Sequence, residues 1–143
     1  MLESLVIDSL KNGRSVRFRA PGCSMAPLIR SNDALIVEPV APAEVSAGDI
    51  VLYRSGAGLT AHRVVGTPPP ASKEGGGCFL LKGDAGSRPD PPVAASAVLG
   101  RVIAVERGGR RIDPYRFFPR LFAGLRRLAS RLKSRLTNSR PLM

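Results

Sequence analysis

The sequence is poor in aromatic residues and in side chains that commonly bind metals. Its 143 residues include no tryptophan, five phenylalanines, two tyrosines and one histidine. The two cysteines, Cys23 and Cys78, are far apart and form no CxxC pair, which argues against a metal site. We therefore expect no metal and no cofactor. We favour reduced, packed cysteines over a disulfide, which would need an oxidising compartment.

A long apolar run is also lacking. No stretch approaches the roughly 18 to 20 uninterrupted apolar residues that span a bilayer, and Glu3 and Asp8 interrupt the apolar N-terminal segment. These charges are not typical of a signal peptide or a membrane anchor. We expect no transmembrane helix, no signal peptide, and a protein that is cytoplasmic or peripherally attached to a membrane.

Glycine and proline, by contrast, are abundant, with 15 glycines and 13 prolines. Together with the few aromatic residues, this composition favours many short strands and turns over a helical bundle. A chain of this length is most simply one domain that buries about two-thirds of its unfolded surface. We predict a mainly β fold.

Positive charge is concentrated towards the C-terminus. The net charge is +11, yet residues 1–100 contain ten Lys and Arg against nine Asp and Glu, whereas residues 101–143 contain twelve against two. Within residues 119–136, leucines recur every three or four residues and basic residues fill much of the remaining surface, which predicts a basic amphipathic helix. We divide the chain into a strand-rich body, residues 1–113, and a basic tail, residues 114–143.

The basic tail has several candidate partners. Residues 119–136 could bind an anionic membrane surface, since each Lys or Arg near such a surface contributes about 1 kcal/mol. Alternatively, the leucines pack on the body, or the end of the chain is partly disordered. Nucleic acid is the least favoured partner, because no recognition motif and no stacking set of aromatic residues accompanies the charge.

Hydrophobic periodicity predicts the elements of the body. Apolar residues at helical spacing from Leu2 to Leu10, followed by Asn12-Gly13, indicate a short amphipathic helix at the N-terminus. Alternating or continuous apolar runs predict the strands that follow. These runs read SVRFRAPG, DALIVEPV, GDIVLYR, LTAHRVVG, CFLLKGD and, around a Gly-Gly turn, AVLGRVIAVERGGRRI.

Polar residues at the ends of these strands are candidates for chemistry. A serine hydroxyl becomes a good nucleophile when a nearby base removes its proton, and imidazole does this at neutral pH. His62 is the only histidine, and Ser24 lies in a proline-bracketed turn. A histidine base also needs an acceptor on its other ring nitrogen, and either Asp84 or Asp90 could supply a carboxylate.

Four short motifs occur in a fixed order along the chain: GCSMAP, GDIVLY, HRVVG and LKGD. In this order they resemble the boxes of the signal peptidase I family, particularly its endoplasmic-reticulum and archaeal-type branch, over about residues 18–105. That resemblance implies a serine endopeptidase with the β-rich peptidase fold that the family shares with self-cleaving SOS-type repressors. The expected partner is a polypeptide, cleaved after small residues within a signal or leader segment.

The resemblance also assigns roles to individual residues. It makes Ser24 the nucleophile and His62 the general base, where most bacterial members use a lysine. Asp84 and Asp90 match the two aspartates of the branch, and we favour Asp90 as the partner of His62, with Asp84 supporting the site. By analogy with acyl-transfer sites in general, rather than from the resemblance, the backbone N–H of Ser24 is expected to donate to the oxyanion.

The expected substrate groove is formed by other parts of the chain. Met25, Pro27 and the strand around Ile36 are expected to shape it through backbone pairing of the edge-strand kind. The chain departs from the family in lacking a predicted spanning helix before Ser24.

Two other functions are compatible with the same fold. One is a self-cleaving repressor-like peptidase, cutting at Ala57-Gly58 or Ala85-Gly86, although such proteins use a lysine base and carry a DNA-binding domain ahead of the serine. The other is a catalytically silent domain that binds peptides or membranes.

Overall fold

The body of the chain is a single antiparallel sheet preceded by one helix. The computed structural model describes residues 2–19, 22, 24–56, 58–68 and 76–115. The helix is α1 (Leu2–Lys11). The strands are β1 (Val16–Arg19), β2 (Ala34–Pro39), β3 (Ile50–Ser55), β4 (Gly58–Gly66), β5 (Cys78–Lys82), β6 (Val93–Ala94), β7 (Val98–Arg107) and β8 (Arg110–Ile112). The prediction of a mainly β fold is confirmed.

The predicted N-terminal helix is also confirmed. Helix α1 buries Val6, Ile7 and Leu10 against the sheet. Gly13 follows with φ of +78°, a left-handed conformation that glycine adopts without steric cost, and its N–H donates to the Leu10 carbonyl at 3.1 Å. The helix therefore ends where the Asn12-Gly13 signal predicts.

Strand order differs from chain order. Across the sheet the strands run β1-β2-β7-β3-β4-β5-β6, and β8 pairs with the C-terminal end of β7. Strands β2 and β3 follow each other in the chain but lie on either side of β7, so the centre of the sheet forms only when distant segments meet. The predicted Gly-Gly turn joins β7 to β8, with Gly108 and Gly109 both at positive φ.

Alternation along the strands builds a core on each face of the sheet. On β3, Ile50 and Leu52 pack with α1 on what we call the helix face, whereas Val51 and Tyr53 pack with Phe79 on the opposite face. Each such fully buried apolar side chain stabilises the fold by roughly 1.5–3 kcal/mol. Because both faces are buried, the register of the central strands is strongly specified.

Several predictions about the chain ends and cysteines have different outcomes. Cys78 is exposed at the start of β5, so the prediction that it is packed is wrong. Cys23 and the predicted helix over residues 119–136 lie outside the described residues. Tyr115, the last described residue, packs on the helix-face core, and its hydroxyl accepts a hydrogen bond from the Ile50 N–H at 3.2 Å. Within the described ranges, no helix is long and apolar enough to cross a membrane.

Candidate active site

Ser24 and His62 meet at the edge of the sheet. His62 lies in β4 directly across from Val51 of β3, and alternation places it on the same face as Tyr53, its diagonal neighbour on that strand. Ser24 lies in the turn that follows β1, where its side chain is exposed. Ser24 Oγ is 3.0 Å from His62 Nε2, although 38 residues separate the two in the chain. A hydroxyl and an imidazole are therefore within hydrogen-bonding distance at a solvent-accessible point.

Asp90 contacts the other nitrogen of the same ring. Its Oδ2 makes a short hydrogen bond with His62 Nδ1. The Asp90 backbone N–H donates to the Leu81 carbonyl at 2.7 Å, so the loop after β5 returns to the sheet at this residue. This backbone bond holds the carboxylate beside the imidazole.

Tyr53 adds a second donor to the Asp90 carboxylate. Its hydroxyl donates to Asp90 Oδ2 at 3.1 Å. Burial, together with the neighbouring carboxylate, raises the pKa of the Tyr53 hydroxyl far above its ordinary value, so the group stays protonated and remains a donor. Tyr53 thus holds the Asp90 carboxylate in place with a side-chain hydrogen bond.

These contacts determine the tautomer of the histidine. An ionised carboxylate only accepts hydrogen bonds, so Nδ1 carries the proton that is donated to Asp90. Nε2 is then left with a lone pair and accepts the hydrogen bond from the Ser24 hydroxyl. This is the geometry that general-base activation of a serine requires.

Gly83 allows the serine turn to approach β5 closely. The Ala85 N–H donates to the Ser24 carbonyl at 2.9 Å, which ties the two segments together. A Cβ at position 83 would lie 2.6 Å from the Ser24 carbonyl oxygen and 3.1 Å from His62 Nε2. The glycine of the LKGD motif is therefore required by close packing against both Ser24 and His62.

Asp84 belongs to a separate network on the helix face. It accepts two hydrogen bonds from Arg63, at 2.9 and 2.8 Å, in the forked geometry typical of arginine and carboxylate. Arg63 is buried and also donates to the Gly48 carbonyl at 2.9 Å. The Asp84 backbone N–H donates to the Met25 sulfur at 3.4 Å. Asp84 therefore fixes the turn next to Ser24 and makes no hydrogen bond with His62.

The remaining predicted substrate-binding residues are distributed differently from what we expected. Met25 is buried beneath the serine turn, whereas Pro27 is exposed. Ile36 lies in the middle of β2, which pairs with β1 on one side and with β7 on the other. The prediction that the strand around Ile36 offers an edge for a substrate is wrong, because the backbone hydrogen bonds of that strand are already used.

A different strand offers an open edge. Strand β5 pairs with β4 only from Arg63 onward. The Val64 N–H donates to the Asp49 carbonyl at 2.7 Å, towards β3. Because backbone direction alternates along a strand, the N–H and C=O groups of Leu59 and Ala61 point away from β3. In the described part of the chain no strand covers this side, and the edge leads directly to His62.

Sequence reasoning missed two features of the site, the Tyr53 hydroxyl and the open edge of β4 at Ala61. A signal for Tyr53 was present, since a tyrosine in a buried strand needs a partner for its hydroxyl. The open edge depends on where β5 begins to pair, and the sequence holds no comparable signal for that. As for metals, the described residues contain no group of three or more His, Cys, Asp or Glu side chains able to hold an ion.

Comparisons with known proteins give no relative: no protein-family model matches the chain, no curated protein matches its sequence, and no solved structure matches its fold. What the site does is therefore inferred from its own residues and geometry.

Proposed function

We propose that the protein is a serine endopeptidase in which Ser24 is the nucleophile, His62 the general base and Asp90 the residue that orients and stabilises the imidazole. The observation that carries this proposal is the continuous chain of contacts from Ser24 Oγ through both nitrogens of His62 to the Asp90 carboxylate. The same connectivity of serine, histidine and aspartate recurs on unrelated folds that catalyse acyl transfer, and this supports the proposal.

The first half of the reaction forms an acyl-enzyme. Ser24 Oγ attacks the scissile carbonyl carbon while its proton passes to His62 Nε2, and the carbonyl oxygen becomes an oxyanion. The imidazolium is stabilised by Asp90, which also accepts from Tyr53. When the tetrahedral intermediate collapses, Nε2 returns the proton to the leaving amine. The C–N bond breaks and the acyl group stays on Ser24.

The second half reverses these roles with water. His62 removes a proton from a water molecule, the hydroxide oxygen attacks the acyl carbon, and the proton returns to Ser24 Oγ as the ester bond breaks. The products are a peptide with a new carboxylate and the free enzyme. No cofactor takes part in either half.

The backbone supplies the other requirements. In the described residues, the Ser24 N–H has no hydrogen-bond acceptor, so it is available to donate to the oxyanion, and a single such donor is worth about 10²–10³ in kcat. A substrate strand that pairs with Leu59 and Ala61 on the open edge of β4 would enter the site next to His62. An endopeptidase substrate is thus bound mainly through its backbone.

The substrate class is suggested by the motif resemblance. GCSMAP, GDIVLY, HRVVG and LKGD follow the order of the signal peptidase I boxes, and each supplies one residue near the site: Ser24, Tyr53, His62 and Gly83. We propose that the substrate is a signal or leader peptide cut after small residues. A site at the protein surface on a basic chain also fits a peripheral membrane location, with residues 119–136 as the proposed lipid contact.

The test is cleavage of peptides that carry small residues one and three positions before the cut. Ser24→Ala and His62→Ala should each abolish turnover while leaving the thermal unfolding temperature unchanged within a few degrees. Ser31→Ala is the matched control, because Ser31 is exposed in the same loop and has no assigned role. Turnover that survives Ser24→Ala would overturn the proposal.

The same experiment addresses the alternative functions. A catalytically silent domain would bind these peptides without turnover that depends on Ser24. A self-cleaving peptidase would show, by mass spectrometry of the purified chain, a cut at Ala57-Gly58 or Ala85-Gly86. Sedimentation with phosphatidylserine vesicles tests the basic tail: Leu125→Asp with Leu128→Asp should weaken vesicle binding if the leucine stripe contacts lipid.

A further inference from the structure

A cleft lies on the helix face of the sheet, beyond His62 along β4. It encloses about 530 Å³, a volume within the usual range for ligand sites. Its apolar walls come from Pro27, Leu28, Val65 and Ile112. Val65 is half exposed there, although it belongs to a strand that is otherwise mostly buried. The cleft therefore presents apolar surface to solvent next to the candidate active site.

Four basic side chains also line this cleft, and two of them are neutralised. Arg63 is held by Asp84, as described above. Arg107 donates two hydrogen bonds to Asp33, at 2.9 and 2.7 Å. Asp33 itself is almost completely buried. These two pairs form the fixed floor of the cleft and leave no net charge.

The other two basic residues, Arg30 and Lys82, give the cleft its charge. In the described part of the chain, neither has a carboxylate within ion-pair distance. The cleft therefore combines apolar walls and a neutralised floor with two cationic groups at its rim. Its chemistry is complementary to a ligand with negative charge and apolar side chains, and it would repel the basic C-terminal segment of the same chain.

The position of the cleft indicates what kind of ligand this is. A polypeptide paired with Leu59 and Ala61 cannot continue in the plane of the sheet past His62, because β5 occupies that edge from Arg63 onward. Its continuation has to leave the plane. The Ser24 turn, which includes Pro27, packs on the helix face through Met25, and Pro27 also lines the cleft, so the cleft is a concave surface next to Ser24 on that side.

We infer that this cleft binds the part of the polypeptide substrate that follows the cut, and that it selects acidic residues flanked by apolar ones. Residues before the cut occupy the edge of β4, and residues after the cut bind between Arg30 and Lys82. This inference rests on the proposed peptidase function, since it takes the scissile bond to lie at Ser24.

The test uses direct binding, which does not need turnover. A fluorescent peptide with the residues after the cut, carrying two acidic residues between leucines, is titrated with full-length Ser24→Ala protein and followed by fluorescence anisotropy. Arg30→Gln with Lys82→Gln should weaken binding about tenfold at low salt, with a smaller effect at high salt. Lys11→Gln with Arg14→Gln is the matched control, because it removes the same two charges from exposed positions elsewhere.

Each outcome separates this inference from the proposed function. Equal binding by the two double variants, or no preference for the acidic peptide over its amide counterpart, overturns the subsite even if the wild type cleaves peptides. If binding depends on Arg30 and Lys82 but the wild-type protein cleaves no peptide, the proposed peptidase function is overturned and a peptide-binding cleft remains. If Arg30→Gln with Lys82→Gln weakens binding to phosphatidylserine vesicles but not to the peptide, the cleft is a lipid site and the inference is wrong.

Discussion

Replacing Gly83 by alanine should disable the site with little effect on the rest of the fold. The new Cβ would lie 2.6 Å from the Ser24 carbonyl oxygen, so the two backbone segments must separate by at least about 0.4 Å before the contact reaches even 3.0 Å. The same Cβ would lie 3.1 Å from His62 Nε2 and 3.3 Å from Ser24 Cβ. Relief of the overlap therefore pulls Ser24 away from its base.

The size of the effect follows from this displacement. A misplacement of about 1 Å at a reacting atom costs on the order of 100-fold in rate, so we expect Gly83→Ala to lower kcat by about 10- to 100-fold. The accompanying loss of the Ala85 N–H bond to Ser24 and the local overpacking should cost about 1–3 kcal/mol of unfolding free energy. Because a domain with about 5–15 kcal/mol of stability remains folded after a loss of this size, the fall in kcat is a property of the folded site.

Two readouts and one control make this test decisive. Peptide turnover gives kcat, and the side-chain ¹⁵N–¹H spectrum reports on His62 without overlap because the chain has one histidine. Gly86→Ala is the control: it lies in the same loop, and its Cβ would be 3.4 Å from the nearest atom, an ordinary contact. If Gly83→Ala kept the kcat and the histidine spectrum of the wild type, or if Gly86→Ala lost as much, the close-packing argument would be refuted.

Three further substitutions probe hydrogen-bonded carboxylates of the body, Asp90 and Asp33, and the Tyr53 hydroxyl that donates to Asp90. Asp90→Asn should lower kcat by about 10⁴-fold, because the amide favours the wrong tautomer of His62, and a ¹⁵N spectrum in which Nδ1 stays protonated would contradict this. Tyr53→Phe should lower kcat only about fivefold, since one hydrogen bond of about 1 kcal/mol to Asp90 is lost while the contact with the imidazole remains. Replacing Asp33 tests how the free energy of unfolding depends on pH under acid conditions. Its burial alone would raise the carboxyl pKa, but hydrogen bonds from Arg107 and from a backbone N–H outweigh burial, and the pKa lies below its ordinary value. A carboxyl whose pKa is lower in the folded than in the unfolded chain stabilises the fold at every pH above its unfolded-state pKa of about 4. This stabilisation is lost as the pH falls through the folded-state pKa. Asp33→Asn should therefore cost about 2 kcal/mol at pH 7 in urea unfolding, with the difference from wild type shrinking below about pH 4.

The elements of the body were largely predictable from the sequence because their signals are local. Alternation in SVRFRAPG and LTAHRVVG, and the glycines that end α1 and join β7 to β8, act within a few residues. Strand order was not predictable in the same way. The insertion of β7 between β2 and β3 joins residues as distant in the chain as Leu35 and Val105, or Val51 and Arg101. For that reason the edge role expected of Ile36 was wrong.

The site shows the same division between local and distant signals. Motif order singled out Ser24 and His62, and the structure brings them within hydrogen-bonding distance. The choice between Asp84 and Asp90 depended on how the loop after β5 turns, and spacing alone could not decide it. The loop returns to the sheet where the Asp90 N–H meets the Leu81 carbonyl, and that return places one carboxylate on each face.

The alternation of β4 explains why the chain has two aspartates in this loop. His62 and Arg63 are neighbours in sequence, so a strand directs them to opposite faces of the sheet. Arg63 carries a permanent charge, and on the face of His62 it would compete for the carboxylate that the imidazole needs. Because Asp84 holds Arg63 on the helix face, Asp90 is left to His62 and Tyr53. A slip of β4 by one residue would exchange the two faces and give the arginine access to Asp90. The Arg63–Asp84 ion pair therefore protects the contact between His62 and Asp90, although it lies outside the proposed triad.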